Sequence, residues 1–325
     1  MEIKNIDTAR FGKIGVLMGG TSTERDISLK SGHAVLESLK KQGLDAVGID
    51  IKTDDHRLAA EFIKSFGVDC AFVALHGKFG EDGQVQSILE GLRLRYTGSG
   101  PAASRNAMDK INAKKIFRDA GLVTPGQMII EKRSFNPDTA FTPGVETTGE
   151  RKFGPPWVIK PASNGSSIGL SIIDRQEDVV KAVKAALEFD DRVLIEEYIP
   201  GRELTVGILA EEPLCVIEIV TKHRFFDYQA KYEHGLTDYI VPALLDGETA
   251  GRARGAALTA HRALGCFGCS RSDMILDKNG RLYLLEVNTI PGLTSTSLLP
   301  KAAGYAGIDF DRLCLILLQS AYEKE

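Results

Sequence analysis

Residues 271–298 read RSDMILDKNGRLYLLEVNTIPGLTSTSL, and the register of this stretch decides where the chain places its chemistry. Asn279-Gly280 lies between two apolar runs. That dipeptide is the preferred centre of a two-residue type I′ hairpin turn, because both central positions need positive φ. Counting outward from Lys278 opposite Arg281 sets Asp273 opposite Glu286 and Arg271 opposite Asn288. Directly opposed residues share a sheet face, with Cβ atoms about 4.5–5.5 Å apart, so two carboxylates meet there. Such a pair repels unless something cationic sits between. A three-residue loop would break this register and turn one set of side chains to the other face. Two carboxylates and an amide, without thiol or imidazole, suit Mg²⁺ or Mn²⁺. Magnesium shares its sphere with substrate phosphates, so the acidic pair suggests a nucleoside triphosphate site. The competing reading, a surface hairpin with solvated acids, sits poorly with a strand as apolar as LYLLEV.

With 325 residues and 43% hydrophobic content, the chain can bury a large core divided among two or three units. Lys and Arg total 40 against 44 Asp and Glu, a formal charge of −4. No basic patch offers a nucleic acid a footprint. Five scattered cysteines read as reduced, buried thiols of a cytoplasmic protein. Cys266 and Cys269 form a C-x-x-C near His261, but no second pair completes a zinc set. The first twenty residues contain only a short apolar segment ending at glycines, neither a signal peptide nor a membrane span.

From the N-terminus, Lys13–Met18 reads as a buried strand, followed by Gly19-Gly20 and a helix that Ser22 or Thr23 can cap. Strands over Asp45–Ile51 and Val68–Gly77, with a helix over His56–Phe66 between them, predict a parallel sheet. His76 then sits at a strand's carboxyl end, where such sheets place ligands; a histidine satisfied within a tight turn fits as well. Two helical stretches, Pro101–Ala107 and Asp109–Ala120, lead into a strand over Gly126–Ile130. Residues 134–155 read as a long loop. Pro155–Ile173 reads as strand, glycine-serine loop and strand, with Lys160 at one lip. No Walker phosphate loop occurs, so this hairpin is the candidate phosphate flap. In the strand-rich 192–220 segment, Glu196 and Glu197 run into Tyr198-Ile199-Pro200, where Pro200 breaks the ladder and exposes backbone groups to an adenine edge. Solvated acids are the bland alternative there. Residues 225–243 read as an ordered functional loop, Gly247–Leu264 as a helix, and the C-terminus as an apolar helix for core or dimer contact.

The motifs GGTSTERDISL, LHGKFGEDG, MDK, IKPASNGSSIG, LIEEYIPGRELTV, AKYEHGLTDY, RSD and EVNTIPGLTSTS, in this order, resemble the D-alanine–D-alanine ligases of the ATP-grasp superfamily. The resemblance runs from Lys13 to about Leu313. It implies a three-domain α/β and α+β architecture: a Rossmann-like N-terminal domain (1–106), a central ATP-grasp subdomain carrying the phosphate flap (107–197), and a C-terminal subdomain carrying the metal site (198–325). The activity implied is ATP-dependent ligation of two D-alanines through a D-alanyl phosphate for peptidoglycan synthesis, with D-serine, D-lactate or another amino acid as alternative acceptors. Tyr232 argues against D-lactate, since relatives making depsipeptides lack the tyrosine-bearing loop.

Carried onto this sequence, Glu24 would hold the first substrate's ammonium in a trio with Ser166 and Tyr232, with His76 beside that substrate. Lys110, Lys160 and Lys231 would contact ATP phosphates, Glu196, Glu197, Tyr198 and Ile199 the adenine, and Glu203 the ribose, with Ser167 also at the ATP. Asp273, Glu286 and Asn288 match ligands of two Mg²⁺ or Mn²⁺ ions. Arg271 and the Gly292 N–H match an oxyanion site, Ser297 and Leu298 the pocket for the second carboxylate. A homodimer, with no nucleic-acid or membrane partner, is implied as well.

Overall fold

The computed structural model describes residue 6 and residues 8–137, 153–166, 168–221 and 236–323. Within them the chain builds three sheets. The first is parallel, in the order β2-β1-β3-β4, from β1 (Ile14–Gly19), β2 (Ala46–Ile51), β3 (Cys70–Val73) and β4 (Arg95–Tyr96). Helices α1 (Arg25–Lys41), α2 (His56–Ser65) and α3 (Gln84–Gly91) connect them. Every residue of β1 is buried, as the centre of a parallel sheet covered on both faces requires. From β1 the chain goes first to one neighbour and then to the other. The carboxyl ends of β1 and β3 therefore flank a crevice, and Glu24 and His76 follow those two ends.

The start of α1 corrects the expected cap. Glu24 is the N-cap, and neither Ser22 nor Thr23 takes that place. The Ser22 hydroxyl donates to the His76 carbonyl at 2.7 Å and accepts the Glu24 N–H at 3.2 Å, so it ties the first crevice loop to the second.

Helices α4 (Pro101–Met108) and α5 (Lys110–Asp119) lead to a second, antiparallel sheet in the order β5-β8-β6-β7. Its strands are β5 (Gln127–Glu131), β6 (Trp157–Pro161), β7 (Ser171–Ile173) and β8 (Arg192–Glu197). Helix α6 (Val179–Ala186) packs its Val179, Val183 and Ala186 against Trp157, Ile159 and Ile195. The β6–β7 pair is the hairpin expected over Pro155–Ile173. Residues 138–152 of the expected long loop lie outside the described residues.

The third sheet is antiparallel, ordered β11-β10-β9-β12-β13. It comprises β9 (Gly201–Leu209), β10 (Glu212–Thr221), β11 (Thr237–Ile240), β12 (Cys269–Asp277) and β13 (Leu282–Asn288), with α7 (Gly247–Leu264) on one face. Part of the segment expected as a loop, 237–240, is thus an edge strand paired with β10. Its four residues are too short to show a period, and their partner is supplied from elsewhere in the chain. Residues 222–235 lie outside the described residues.

The β12–β13 turn is another correction. Gly280 N–H donates to Asp277 O at 3.0 Å and Asp277 N–H to Arg281 O at 2.9 Å, so three residues, Lys278 to Gly280, form the loop. Gly280 alone carries the positive φ, +77°, as a three-residue hairpin loop requires. The Asp277 carboxylate accepts the Asn279 and Arg281 N–H groups, both at 2.8 Å, which favours the longer loop over a type I′ turn.

Two packing relationships cross the expected divisions of the chain. Ala113 and Phe117 of α5 pack with Leu204, Ala257 and Met274 of the third sheet and α7, not with the second sheet's core. Helices α8 (Leu298–Tyr305) and α9 (Phe310–Ser320) share one core with Val16 and Phe72 of the first sheet, Leu39 of α1, and Leu209 and Ile217 of the third sheet. The apolar C-terminal helix is therefore core.

Candidate active site

Between the second and third sheets lies a cavity of about 140 Å³. Its polar wall includes Lys110, Lys160, Glu196, Glu197, Glu203, Asp273 and Glu286, with Tyr198 and Ile199 at the link from β8 to β9. Its apolar wall includes Val158, Ile172, Ile275 and Leu285, branched side chains against which an aromatic base could pack. All of the described residues expected at ATP therefore line one cavity. Ser167 and Lys231 lie outside the described residues.

A larger cavity of about 750 Å³ opens toward the first sheet. Glu24, His76, Ser166, Arg271, Asn288, Gly292, Ser297 and Leu298 line it. Lys110, Gly165, Ser166 and Glu286 belong to the walls of both cavities. A group transferred from a ligand in one to a ligand in the other would pass this shared wall.

Glu24 is held there by close packing. Ser166 Oγ donates to its carboxylate in a short hydrogen bond. Gly77, at φ +73°, comes so near that a Cβ would lie 2.7 Å from Glu24 Oε2. Ser166 itself has φ +50°, a strained value for a residue with a Cβ. Buried His76 sits between Ser31 Oγ, 3.0 Å from Nε2, and Glu81 Oε1, 3.3 Å from Nδ1. Ser31 also accepts the Leu293 N–H at 3.3 Å, which connects the histidine to the loop carrying Gly292. Tyr232 lies outside the described residues.

Asp273 and Glu286 pair across β12 and β13, and Arg271 pairs with Asn288, so all four share a face. Arg271 grips Asp273 with two donors, Nε at 2.9 Å and Nη2 at 2.7 Å. Thr205 Oγ1 donates to the same carboxylate at 2.6 Å. Glu286 lies 3.4 Å from Lys110 Nζ, which also donates to the Asn164 carbonyl at the flap tip at 2.7 Å. Among the described residues no three His, Cys, Asp or Glu side chains gather as a metal cluster. The donor chemistry nevertheless fits a hard divalent ion bound together with phosphate: two carboxylates and an amide oxygen, with cations on either side.

Sequence reasoning missed the base of the smaller cavity. Glu196 is 2% exposed and lies between two lysines, Lys114 Nζ at 2.7 Å and Lys160 Nζ at 2.8 Å. Burial alone would raise the Glu196 carboxyl, but Lys114 and Lys160 outweigh it and hold it below the usual range. Its side chain therefore holds both lysines while lining the smaller cavity. Lys114, one helical turn after Lys110, was the available signal. Tyr239 and Lys301, whose ammonium sits 5.3 Å from the tyrosine ring centroid, also line the larger cavity and went unread. The C-x-x-C is buried, and both nitrogens of His261 are engaged, with Ser270 at 2.7 Å and Glu211 at 2.9 Å.

The family described as D-ala D-ala ligase C-terminus matches residues 116–319, and that described as D-ala D-ala ligase N-terminus matches residues 55–99. A D-alanine–D-alanine ligase of Geotalea uraniireducens is 43% identical over 317 residues, 97% of either chain. One from Citrifermentans bemidjiense is 46% identical over 317 residues, 97% of this chain and 98% of the other. Among solved structures, the D-alanine–D-alanine ligase of Bacillus anthracis complexed with ATP superposes with a TM-score of 0.81 at 33% identity, covering 96% of this chain and 98% of that one. The VanG D-Ala:D-Ser ligase of Enterococcus faecalis has a TM-score of 0.80 at 31% identity, covering 96% and 100%.

Proposed function

The chain belongs to the D-alanine–D-alanine ligase family and has its ATP-grasp fold, and from that premise we propose how its residues join two D-alanines at the expense of ATP. The observation that carries the reading is the shared wall: Lys110, Ser166 and Glu286 border both the smaller cavity and the larger one.

ATP lies in the smaller cavity, its base among Tyr198, Ile199 and the apolar wall, its ribose at Glu203, and its phosphates toward Lys110 and Lys160. Asp273, Glu286 and Asn288 would hold Mg²⁺ or Mn²⁺, which offsets phosphate charge as it shifts during transfer. The first D-alanine places its ammonium on Glu24, backed by Ser166, and its carboxylate toward the shared wall. Phosphorylation of that carboxylate gives an acyl phosphate. The second D-alanine rests its carboxylate at the N-terminus of α8, where Ser297 is the N-cap and the Leu298 N–H points outward. Its amine attacks the acyl carbon, and Arg271 with the Gly292 N–H meets the developing oxyanion. Phosphate then leaves. Ser167, Lys231 and Tyr232 join these roles as expectations from the family.

The unit boundaries at 106 and 197, a homodimer, a cytoplasmic location and a part in peptidoglycan synthesis belong to the same proposal. None of the described helices is long and apolar enough to cross a membrane. Sedimentation tests the dimer. The activity is tested by phosphate release from ATP with D-alanine, L-alanine, D-serine or no amino acid, with the product identified by mass. D-alanine-dependent release and D-alanyl-D-alanine are expected. Release indifferent to D-alanine, or a mixed product preferred over the homodipeptide, overturns the reading.

A further inference from the structure

Lys114 takes no part in the chemistry above, yet it is 0% exposed. It lies one turn beyond Lys110 on α5, on the same helix face. Lys110 reaches the cavity wall, whereas Lys114 lines neither cavity and instead meets Glu196 from the closed side. Glu196 in turn holds Lys160, whose side chain is 10% exposed and faces the nucleotide cavity. A chain does not bury a lysine without a counter-charge, and one carboxylate here serves two ammonium groups.

The charge count gives this arrangement a use. Glu196 with Lys160 alone is a neutral pair, and a phosphate approaching it would meet an ammonium already satisfied. With Lys114 added, the cluster carries one net positive charge on its cavity side, in surroundings where water screens little.

We propose that Lys114 is a positioning residue for ATP: by taking up the Glu196 charge from behind, it leaves the Lys160 ammonium available to the nucleotide's phosphates. The proposal rests on the nucleotide reading of the smaller cavity. It does not require that D-alanine be the amino acid.

The test compares wild type, Lys114→Met, Glu196→Gln and Lys114→Met/Glu196→Gln. ATP and D-alanine are varied separately, and direct ATP binding is measured without amino acid. Lys114→Met is expected to raise KM for ATP about tenfold or more while KM for D-alanine stays within about twofold. The double variant, with no surplus negative charge facing Lys160, recovers most of the loss. A folded Lys114→Met protein with unchanged ATP affinity overturns the proposal, as does a double variant no better than the single.

Should Lys114→Met fail to fold, the pH dependence of ATP binding to wild type decides. The charged groups facing Lys114 are Glu196 on β8, Lys160 on β6 and Arg118 on its own helix, and burial pushes the Lys114 ammonium down to about 8. ATP affinity is then expected to fall as pH rises through about 8, and a flat profile overturns the proposal. If the wild type binds ATP and shows these effects but makes no dipeptide, the functional reading fails and this inference stands. If it makes the dipeptide while Lys114→Met keeps its ATP affinity, the reverse holds.

Discussion

Asp273 and Glu286 face each other across β12 and β13 even though the hairpin between them closes with three loop residues. A three-residue loop should have slid this pairing by one. Near the turn it does: Leu276 pairs with Leu282 and Met274 with Leu284. The register then shifts between Asp273 and Met274, with Leu285 as the extra residue of a bulge. Leu284 and Val287 both enter the core with Met274, while Leu285 and Glu286 both line the smaller cavity. Strict alternation through this strand could not place both pairs so. The bulge thus aims the carboxylate at the site.

Thr205 is opposed to Asp273 on the other side, across β9, and orients its carboxylate by a 2.6 Å hydrogen bond. Thr205→Val removes the donor with little change in shape. The Mg²⁺ concentration for half-maximal activity is expected to rise about 10- to 100-fold, the usual cost of losing a partner behind a metal ligand. Thr205→Ser should restore most of it. Titration of Mg²⁺ at fixed ATP makes the measurement, and an unchanged curve would show that Thr205 does not orient Asp273 for a metal.

Ser166 and Gly77 test the Glu24 pocket from opposite sides. Ser166→Gly relieves a left-handed φ of +50° but deletes the hydrogen bond to Glu24. The melting temperature should hold or rise, while kcat/KM falls about 10- to 100-fold, as for losing one bond to a charged group. Gly77→Ala instead adds a Cβ at φ +73°, 2.7 Å from Glu24 Oε2. It should lower stability by about 1 kcal/mol or more and raise KM for D-alanine. Loss of activity without loss of stability in Gly77→Ala would contradict this packing.

What the sequence disclosed and what it hid divide along the range of the interactions. The run Ile14–Met18 and the strands flanking Lys160 were legible because a buried strand needs nothing beyond its own apolar residues. The opposition of Asp273 and Glu286 was reached by counting from the wrong turn: one residue more in the loop and one more in the strand cancel at the site. Ser22 looked like a cap by local rules, but the His76 carbonyl, brought in from β3, takes its hydroxyl. Lys114 could not be read alone, since its partner Glu196 belongs to another sheet. Only the placement of α5 between the third sheet, where Ala113 and Phe117 pack, and β8 of the second brings the two together. The family motifs named every described residue that lines the shared wall, yet passed over the lysine beneath it.

Cys266 and Cys269 show what burial does to a suggestive pair. Desolvation pushes both thiols up to about 12. At pH 8 about one in ten thousand of either is thiolate, too few for ready alkylation. Thiol titration of the native protein should leave both unreacted while unfolding exposes all five cysteines. Chelators should leave stability untouched. Rapid labelling of the pair in the native state would argue against this packing.

Lys114 should make stability and nucleotide affinity move in opposite directions with pH. Burial lowers its pKa from 10.5 to about 8, while Glu196 works against that shift. Between these two values the unfolded chain keeps the proton that the folded chain has lost, so the unfolded state binds more protons. Stability contributed by this residue therefore rises with pH across that window. A Lys114→Met variant lacks the titration, and wild type should gain on it from pH 8 upward in denaturant midpoints. Over the same range the Glu196–Lys160 pair becomes neutral as Lys114 discharges, and ATP should bind less tightly. Urea melts and ATP titrations at matched pH values check the pair of trends. Parallel movement of the two would mean that ATP affinity does not follow the Lys114 charge, and that its place beneath Glu196 is structural alone.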